Sequence, residues 1–400
     1  PQEACRAHGV NGASVAVTSG GTPANPKGMK LRAFLPLLSC LATAAYACSS
    51  TPDPGGPSGT LPSEDPDSST VLPDGAVVPV EDGGAPKDGA TPPPLGDGAP
   101  LPDGAVDPNP LSGVTPREHL SVADGQAMGL GYMDGLLWAD GALMFTDPFA
   151  EGSTGHVWRL PRVGLAPAFI RPSGSAIGLC FDPENGGSLV LTETKPSAVA
   201  RRKVDGTARA ELAAANGGAA LNSPNDCVAA AGKGVYFTDP SYQGSTQAME
   251  GVYRVAGTPP TVTLLAEYAK GKYPNGIALS ADGGSLFVSL TGESQLVRFT
   301  LAADGTATGA PTLFANTGPA PDGVATDTAG NVYVATSAGV EAFSPAGTKW
   351  GVLPLPAGQQ PTSLAFGDPQ GRTLFVGSTL GRGVSQPAIY ALAMRTPGVP

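Results

Sequence analysis

Histidine is nearly absent from this chain. Three occur in 400 residues, His8, His119 and His156. Neither Cys180 nor Cys227 has a Cys or His neighbour at metal-ligand spacing, so a zinc site has poor support, and with so few histidines a catalytic histidine pair has little more. His156, at the head of an outer-strand phrase, is expected at the surface. Cysteine is scarce as well: five, of which Cys5, Cys40 and Cys48 fall in the N-terminal segment. The remaining two, Cys180 and Cys227, do not make a disulfide framework. They read as small buried apolar residues, with a bridge in an oxidising compartment as the alternative. Positive charge is thin: 23 Lys and Arg against 34 Asp and Glu leave a net charge of −11. No basic stripe is present, which argues against a nucleic-acid partner. No Gly-x-Ser-x-Gly elbow, phosphate-binding loop or dinucleotide fingerprint stands in a convincing context. Beyond Gly113 no long amphipathic helical period occurs, which leaves an all-β chain.

The first hundred residues read as something other than fold. Residues 29–48, beginning Met29-Lys-Leu-Arg and ending Ala45-Tyr-Ala-Cys48, combine a basic start, an apolar run and small residues before a cysteine. That is the pattern of a signal peptide, and the run is too short for a comfortable membrane span. The ending suits lipoprotein processing, with a lipid on Cys48 as the one membrane contact; the alternative is cleavage after Ala47 and a free secreted protein. Residues 1–28 read as an upstream mis-extension. Residues 49–113 are dense in Pro, Gly, Ser and Asp and repeat Asp-Gly-Ala, a composition that cannot bury enough surface to order itself. Positions 49–112 hold eleven acidic residues and one Lys, which accounts for −10 of the −11. The remainder is only mildly acidic. A disordered spacer suits a domain held off the bacterial envelope, in the periplasm or on the outer membrane.

From residue 114 the chain repeats itself. Leu143-Met-Phe-Thr-Asp147, Leu189-Val-Leu-Thr-Glu193, Val235-Tyr-Phe-Thr-Asp239, Leu286-Phe-Val-Ser-Leu290, Val332-Tyr-Val-Ala-Thr336 and Leu374-Phe-Val-Gly-Ser378 recur at intervals of 42 to 51 residues. A Gly-containing phrase precedes each, and a third strand phrase such as Gly251-Val-Tyr-Arg254 follows. Repeats of that length, rich in β-branched and aromatic residues, predict a six-bladed β-propeller over residues 114–396. Val114 to Val122 is expected to pair beside Ala388 to Met394 and close the ring.

The phase of the repeat then singles out polar residues. Ser223-Pro-Asn-Asp226, Pro274-Asn-Gly276 and Pro321-Asp-Gly323 all begin innermost-strand phrases, as does Asp134-Gly-Leu136 in the first blade. Inner strands converge on the axis, so Asp134, Asn225, Asn275 and Asp322 should share one end of the channel. An oxygen-rich set of this kind suits a hard cation. Taken singly, Asn-Gly and Asp-Gly are ordinary turn dipeptides; three or four at one phase are not.

In this order, Leu221-Asn-Ser-Pro-Asn-Asp226, Val235-Tyr-Phe-Thr-Asp-Pro240, Gly251-Val-Tyr-Arg254, Pro274-Asn-Gly276 and Pro321-Asp-Gly323 resemble the gluconolactonase–regucalcin (senescence marker protein-like) family of six-bladed propellers. The resemblance covers the whole propeller. It implies one divalent metal, Ca²⁺ first and Mg²⁺, Mn²⁺ or Zn²⁺ as alternatives, held by Asp134, Asn275 and Asp322, with Asn225 beside metal and substrate. It also implies hydrolysis of a small-molecule lactone or related ester, Asp322 serving as base as well as ligand. Asp239 is a weaker candidate, with a structural turn as its other reading. The chain departs from the family at three places: Asp134 stands where Glu is usual, Ala220 where a basic residue is frequent, and Ile177 where Asn is usual. The last two point to a substrate less polar than a sugar lactone. A non-catalytic ligand- or protein-binding propeller is the competing reading. A strictosidine-synthase-like condensing propeller would need a channel Glu, and Glu193 is the nearest.

Overall fold

The computed structural model describes residues 107–399 except 151–153, 161–167, 244–245 and 381–385. The segments 1–28 and 29–48, Cys48 and most of the 49–113 stretch lie outside the described residues.

Six four-stranded antiparallel sheets follow one another along the chain. Blade 1 is Asp134–Ala139, Ala142–Asp147, His156–Leu160 and Ala168–Ile170. Blade 2 is Leu179–Asp182, Ser188–Thr194, Ser197–Arg202 and Ala210–Ala213. Blade 3 is Cys227–Ala230, Gly234–Asp239, Glu250–Ala256 and Thr261–Tyr268. Blade 4 is Pro274–Leu279, Ser285–Leu290, Gln295–Thr300 and Thr312–Asn316. Blade 5 is Val324–Thr326, Val332–Thr336, Gly339–Phe343 and Lys349–Leu353. Blade 6 takes Gln360–Gly367, Thr373–Thr379 and Ala388–Ala393 from the end of the chain and Arg117–Leu120 from its start. The closing strand pairs Arg117 with Ala391 and Leu120 with Ile389, so the ring is sealed by backbone hydrogen bonds rather than by side chains alone. The expected strand ended at Val122; instead Ser121 caps a short helix, Val122–Met128, through its hydroxyl and the Asp124 amide, and the helix stops at Gly129 in a left-handed turn.

The repeated phrase is the second strand of each blade, and its burial explains why it is legible. Both of its faces pack on neighbouring blades, so Val235-Tyr-Phe-Thr-Asp239 is buried throughout and reads as a continuous apolar run. Alternate residues serve opposite neighbours: Val235 and Phe237 join Val190 and Val199 of blade 2, while Tyr236 joins Ile277 and Val288 of blade 4. Six such clusters fill the six blade interfaces, the last uniting Phe145 and Trp158 of blade 1 with Phe375 and Ile389 of blade 6. Fourth strands lie outermost and half exposed, which is why their phrases are irregular.

Three expectations change. Cys180 and Cys227 are not isolated apolar residues but a disulfide, with Cα atoms 5.8 Å apart. They sit on the innermost strands of consecutive blades, which converge to bridging distance near the axis. His156 is 6% exposed, edge-on to Trp158 at 5.7 Å between ring centroids, because the third strand of a blade is still flanked on both faces. Residues 107–113, the end of the stretch expected as linker, join the fold: the Arg395 guanidinium donates to the carbonyls of Asp107, Asn109 and Ser112, and Leu111 is buried with the blade 5 and 6 core.

Candidate channel site

Each innermost strand begins at the same end of the channel, and in blades 1, 4 and 6 its pairing with the second strand slips there. Register shifts fall between Asp134 and Leu137 and between Pro274 and Ile277. Bulges of this kind re-aim side chains. The glycines that follow the site residues belong to this geometry rather than to a turn. A Cβ on Gly135, which has φ +51°, would strike the Ile177 carbonyl of blade 2, and one on Gly276 would strike the Asp322 carbonyl of blade 5. The Asp-Gly and Asn-Gly phrases therefore mark where neighbouring backbones nearly touch.

Hydroxyls of the second strands tie these backbones together. Thr146 Oγ1 donates to the Ile177 carbonyl (2.6 Å), Thr192 Oγ1 to Asn225 (2.5 Å), Thr238 Oγ1 to Asn275 (2.8 Å) and Ser289 Oγ to Asp322 (2.8 Å). Each is the fourth residue of the repeated phrase, so the Thr of Phe-Thr-Asp pins the site residue of the next blade. Blade 5 has Ala335 there and uses a backbone bond instead, Gly323 N–H to the Thr362 carbonyl. Thr362 Oγ1 completes the circle on the Met133 carbonyl, next to Asp134. The Asp that follows Thr holds the entry loop. Asp239 accepts from the Asn222 and Ser223 amides (2.9 and 2.8 Å), and Asp147 from those of Gly131 and Tyr132. Asp239 is thus a loop brace.

The ring brings together Asp134 of blade 1, Asn225 at the head of blade 3, Asn275 of blade 4 and Asp322 at the head of blade 5. Burial, followed by the charges of Asp322 and Asp226, holds the Asp134 carboxyl well above the usual carboxylate range. The Asp134 carboxyl thus lies within electrostatic reach of carboxylates from blades 3 and 5. Asp134 and Asp322 remain partly accessible from the channel. The Asn275 amide is oriented by its neighbours: Thr291 Oγ1 gives its proton to the Pro321 carbonyl (2.6 Å), so it can only accept from Asn275 Nδ2 (3.1 Å). Nδ2 also reaches Tyr242 Oη at 3.3 Å. Both contacts are made by the amide nitrogen, which leaves Oδ1 as the acceptor of this side chain. The Asn225 side chain has no hydrogen bond among the described residues.

Asp226 was missed by the sequence reading. Its Oδ1 accepts from its own neighbour, the Cys227 amide, and its Oδ2 from the Ile277 amide of blade 4. Burial raises it to about 7 despite those two bonds. A signal was present: blades 1, 2, 4 and 5 have Gly135, Gly178, Gly276 and Gly323 at this phase, and blade 3 alone has a carboxylate.

A hard cation suits a donor set of carboxylates and an amide oxygen. Among the described residues no three His, Cys, Asp or Glu side chains form a metal-holding group by themselves, so amide oxygen is needed to complete it. Directly below, the channel turns apolar. Leu136, Leu179, Ile277, Val324 and Leu364 line a cavity of about 540 Å³ that excludes the polar ring. Glu193 is engaged elsewhere, gripped by Arg209 at 2.6 Å, which leaves the condensing-propeller reading without its acid.

A family model described as the SMP-30/gluconolactonase/LRE-like region matches residues 133–380. A solved protein assigned as a gluconolactonase shares 23% identity, with 72% of this chain and 94% of that one covered and a TM-score of 0.60. A gluconolactonase from Xanthomonas campestris shares 24%, covering 66% and 86%, with a TM-score of 0.56. Regucalcin, a calcium-binding protein from Agrobacterium tumefaciens, shares 18%, covering 68% and 92%, with a TM-score of 0.54. At these identities the likeness is one of fold. Curated protein sequences gave no match.

Proposed function

The chain belongs to the SMP-30/gluconolactonase/LRE-like family, and from that premise we propose a metal-dependent hydrolase of a lactone or related ester. The observation that carries the reading is the channel ring itself, where the buried Asp134 carboxyl lies within electrostatic reach of Asp322 and Asp226 and the Asn275 amide is oriented by Thr291. Asp134, Asn275 and Asp322 would hold a divalent ion, Ca²⁺ before Mg²⁺, Mn²⁺ or Zn²⁺. When bound, such an ion supplies Lewis-acid polarisation of the scissile carbonyl and stabilises the oxyanion that develops. Asp322, partly open to the channel, accepts the proton of the attacking water. Asn225 offers an unengaged amide to orient the substrate. Asp226 braces blade 3 against blade 4 and so fixes the height of Asn275.

Titration calorimetry with Ca²⁺, followed by turnover of a lactone and ester panel, tests this. One ion per chain should bind, and Asp322→Ala should lose both ion and turnover. A wild type that binds no divalent ion at millimolar concentration ends the proposal. Turnover absent with the ion bound leaves a ligand-binding propeller instead. For location we propose export with a lipid on Cys48, supported by the pattern of residues 29–48. Fatty-acid labelling that persists in Cys48→Ser would refute it.

A further inference from the structure

Beside Asn275 stands an aromatic pair that the hydrolase reading leaves unexplained. Tyr242, in the loop after the second strand of blade 3, lies flat on Tyr273, just before blade 4: ring centroids are 4.6 Å apart and the planes differ by 9°. Both segments are on the site face, and Tyr242 Oη is hydrogen-bonded to the Asn275 amide.

The pair is built, not incidental. One fully buried carboxylate clamps both segments. Glu250 Oε1 accepts from the Ser241 amide and hydroxyl (3.1 and 2.5 Å), and Oε2 accepts from the Tyr273 amide (2.7 Å). The Tyr273 carbonyl is held from the other side by the Thr291 amide. Between these anchors Tyr273 sits at φ +50°, a conformation an aromatic residue adopts only when its surroundings impose it. Across the ring, at the blade 1 entry, Tyr132 and Phe149 form a second pair 5.6 Å apart, and Phe149 stays 47% exposed. At the same phase blade 2 has the aliphatic Ile177 where blades 1, 3, 4 and 5 have Asp or Asn.

Resting on the hydrolase reading, we propose that Tyr242 and Tyr273 form a preorganised stacking wall for a flat unsaturated ring on the substrate, so that the site takes an aryl lactone or aryl ester in preference to a polyhydroxylated sugar lactone. A sugar ring needs hydrogen-bond partners around its hydroxyls, and aromatic and aliphatic walls leave those unpaired. A flat ring asks for apolar faces and loses little freedom on binding.

The test uses the full chain with Ca²⁺. Wild type should favour dihydrocoumarin over glucono-δ-lactone in kcat/KM. Tyr273→Ala should raise KM for dihydrocoumarin more than for δ-valerolactone, by a differential of roughly tenfold, and Tyr273→Phe should restore it. Preference for glucono-δ-lactone overturns the inference and leaves the hydrolase standing, as does an equal KM change for both lactones. If no lactone or ester turns over, the hydrolase reading fails by itself. The wall is then read by calorimetry with 3,4-dihydroquinolin-2-one, a lactam that is not hydrolysed: binding that Tyr273→Ala abolishes supports it, and no binding by wild type overturns it.

Discussion

Thr238→Val is the sharpest probe of how the repeat builds the site. Valine keeps the shape of threonine and removes one hydroxyl from a residue with no solvent exposure. That hydroxyl makes two bonds, donating to the Asn275 carbonyl at 2.8 Å and accepting from the Asp226 amide at 3.1 Å. Each group so stranded costs about 1–3 kcal/mol, and with two of them the expected loss is about 2–6 kcal/mol, or roughly 3–10 °C in Tm for a domain of this size. Thr146→Val removes a single hydroxyl bond among the described residues, to the Ile177 carbonyl, and should cost about half as much. The two variants also differ in what they move. Thr238 fixes the backbone under Asn275, so Ca²⁺ affinity should fall about 10–100-fold, the usual effect of removing an outer support of a ligand. Thr146 supports no proposed ligand. Denaturant unfolding in EDTA and Ca²⁺ calorimetry read the two effects separately. A Thr238→Val protein that melts within 2 °C of wild type and binds Ca²⁺ equally would refute the idea that these hydroxyls set the ring.

Two further expectations follow from the same geometry. Reducing the Cys180–Cys227 bridge, which spans 47 residues of chain, should remove about 4 kcal/mol on the chain-entropy argument; a melting temperature indifferent to reductant, with both thiols alkylated beforehand in native protein, would show that no bridge forms. Burial raises the Asp226 and Asp239 carboxyls to about 7, so between about pH 4 and pH 7 the folded protein keeps protons that the unfolded chain has released. Their contribution to stability is therefore greatest at low pH, falls as pH rises through that window and is flat above it. Asp226→Asn cannot ionise and, in EDTA, should gain on the wild type by at most about 1.4 kcal/mol per pH unit from pH 4.5 to 7.5; a gap that stays constant with pH contradicts the shift.

The sequence was legible where burial is periodic. Second strands are covered on both faces, so their apolar phrases survive as a countable repeat, and counting them yields six blades and the phase of every innermost strand. That phase singled out Asp134, Asn225, Asn275 and Asp322 as the candidates. It fell short where a residue type has two uses. Asp239 carried two readings, a weaker catalytic candidate or a structural turn, and its bonds from two loop amides give it the structural one. Asp226 looks like the tail of a turn, yet it crosses to the Ile277 amide of the next blade.

What the chain determined by itself is the scaffold, because hydrophobic period and turn chemistry are local and repeat with the blade. Only the tertiary structure decided which local features became site and which became brace. Closure of the ring brings the heads of six inner strands within bonding distance of one another. At that distance glycines become contact points, threonines become pins between blades and two cysteines 47 residues apart become one bridge. None of these roles exists within a single repeat, since each is a relation between one blade and the next.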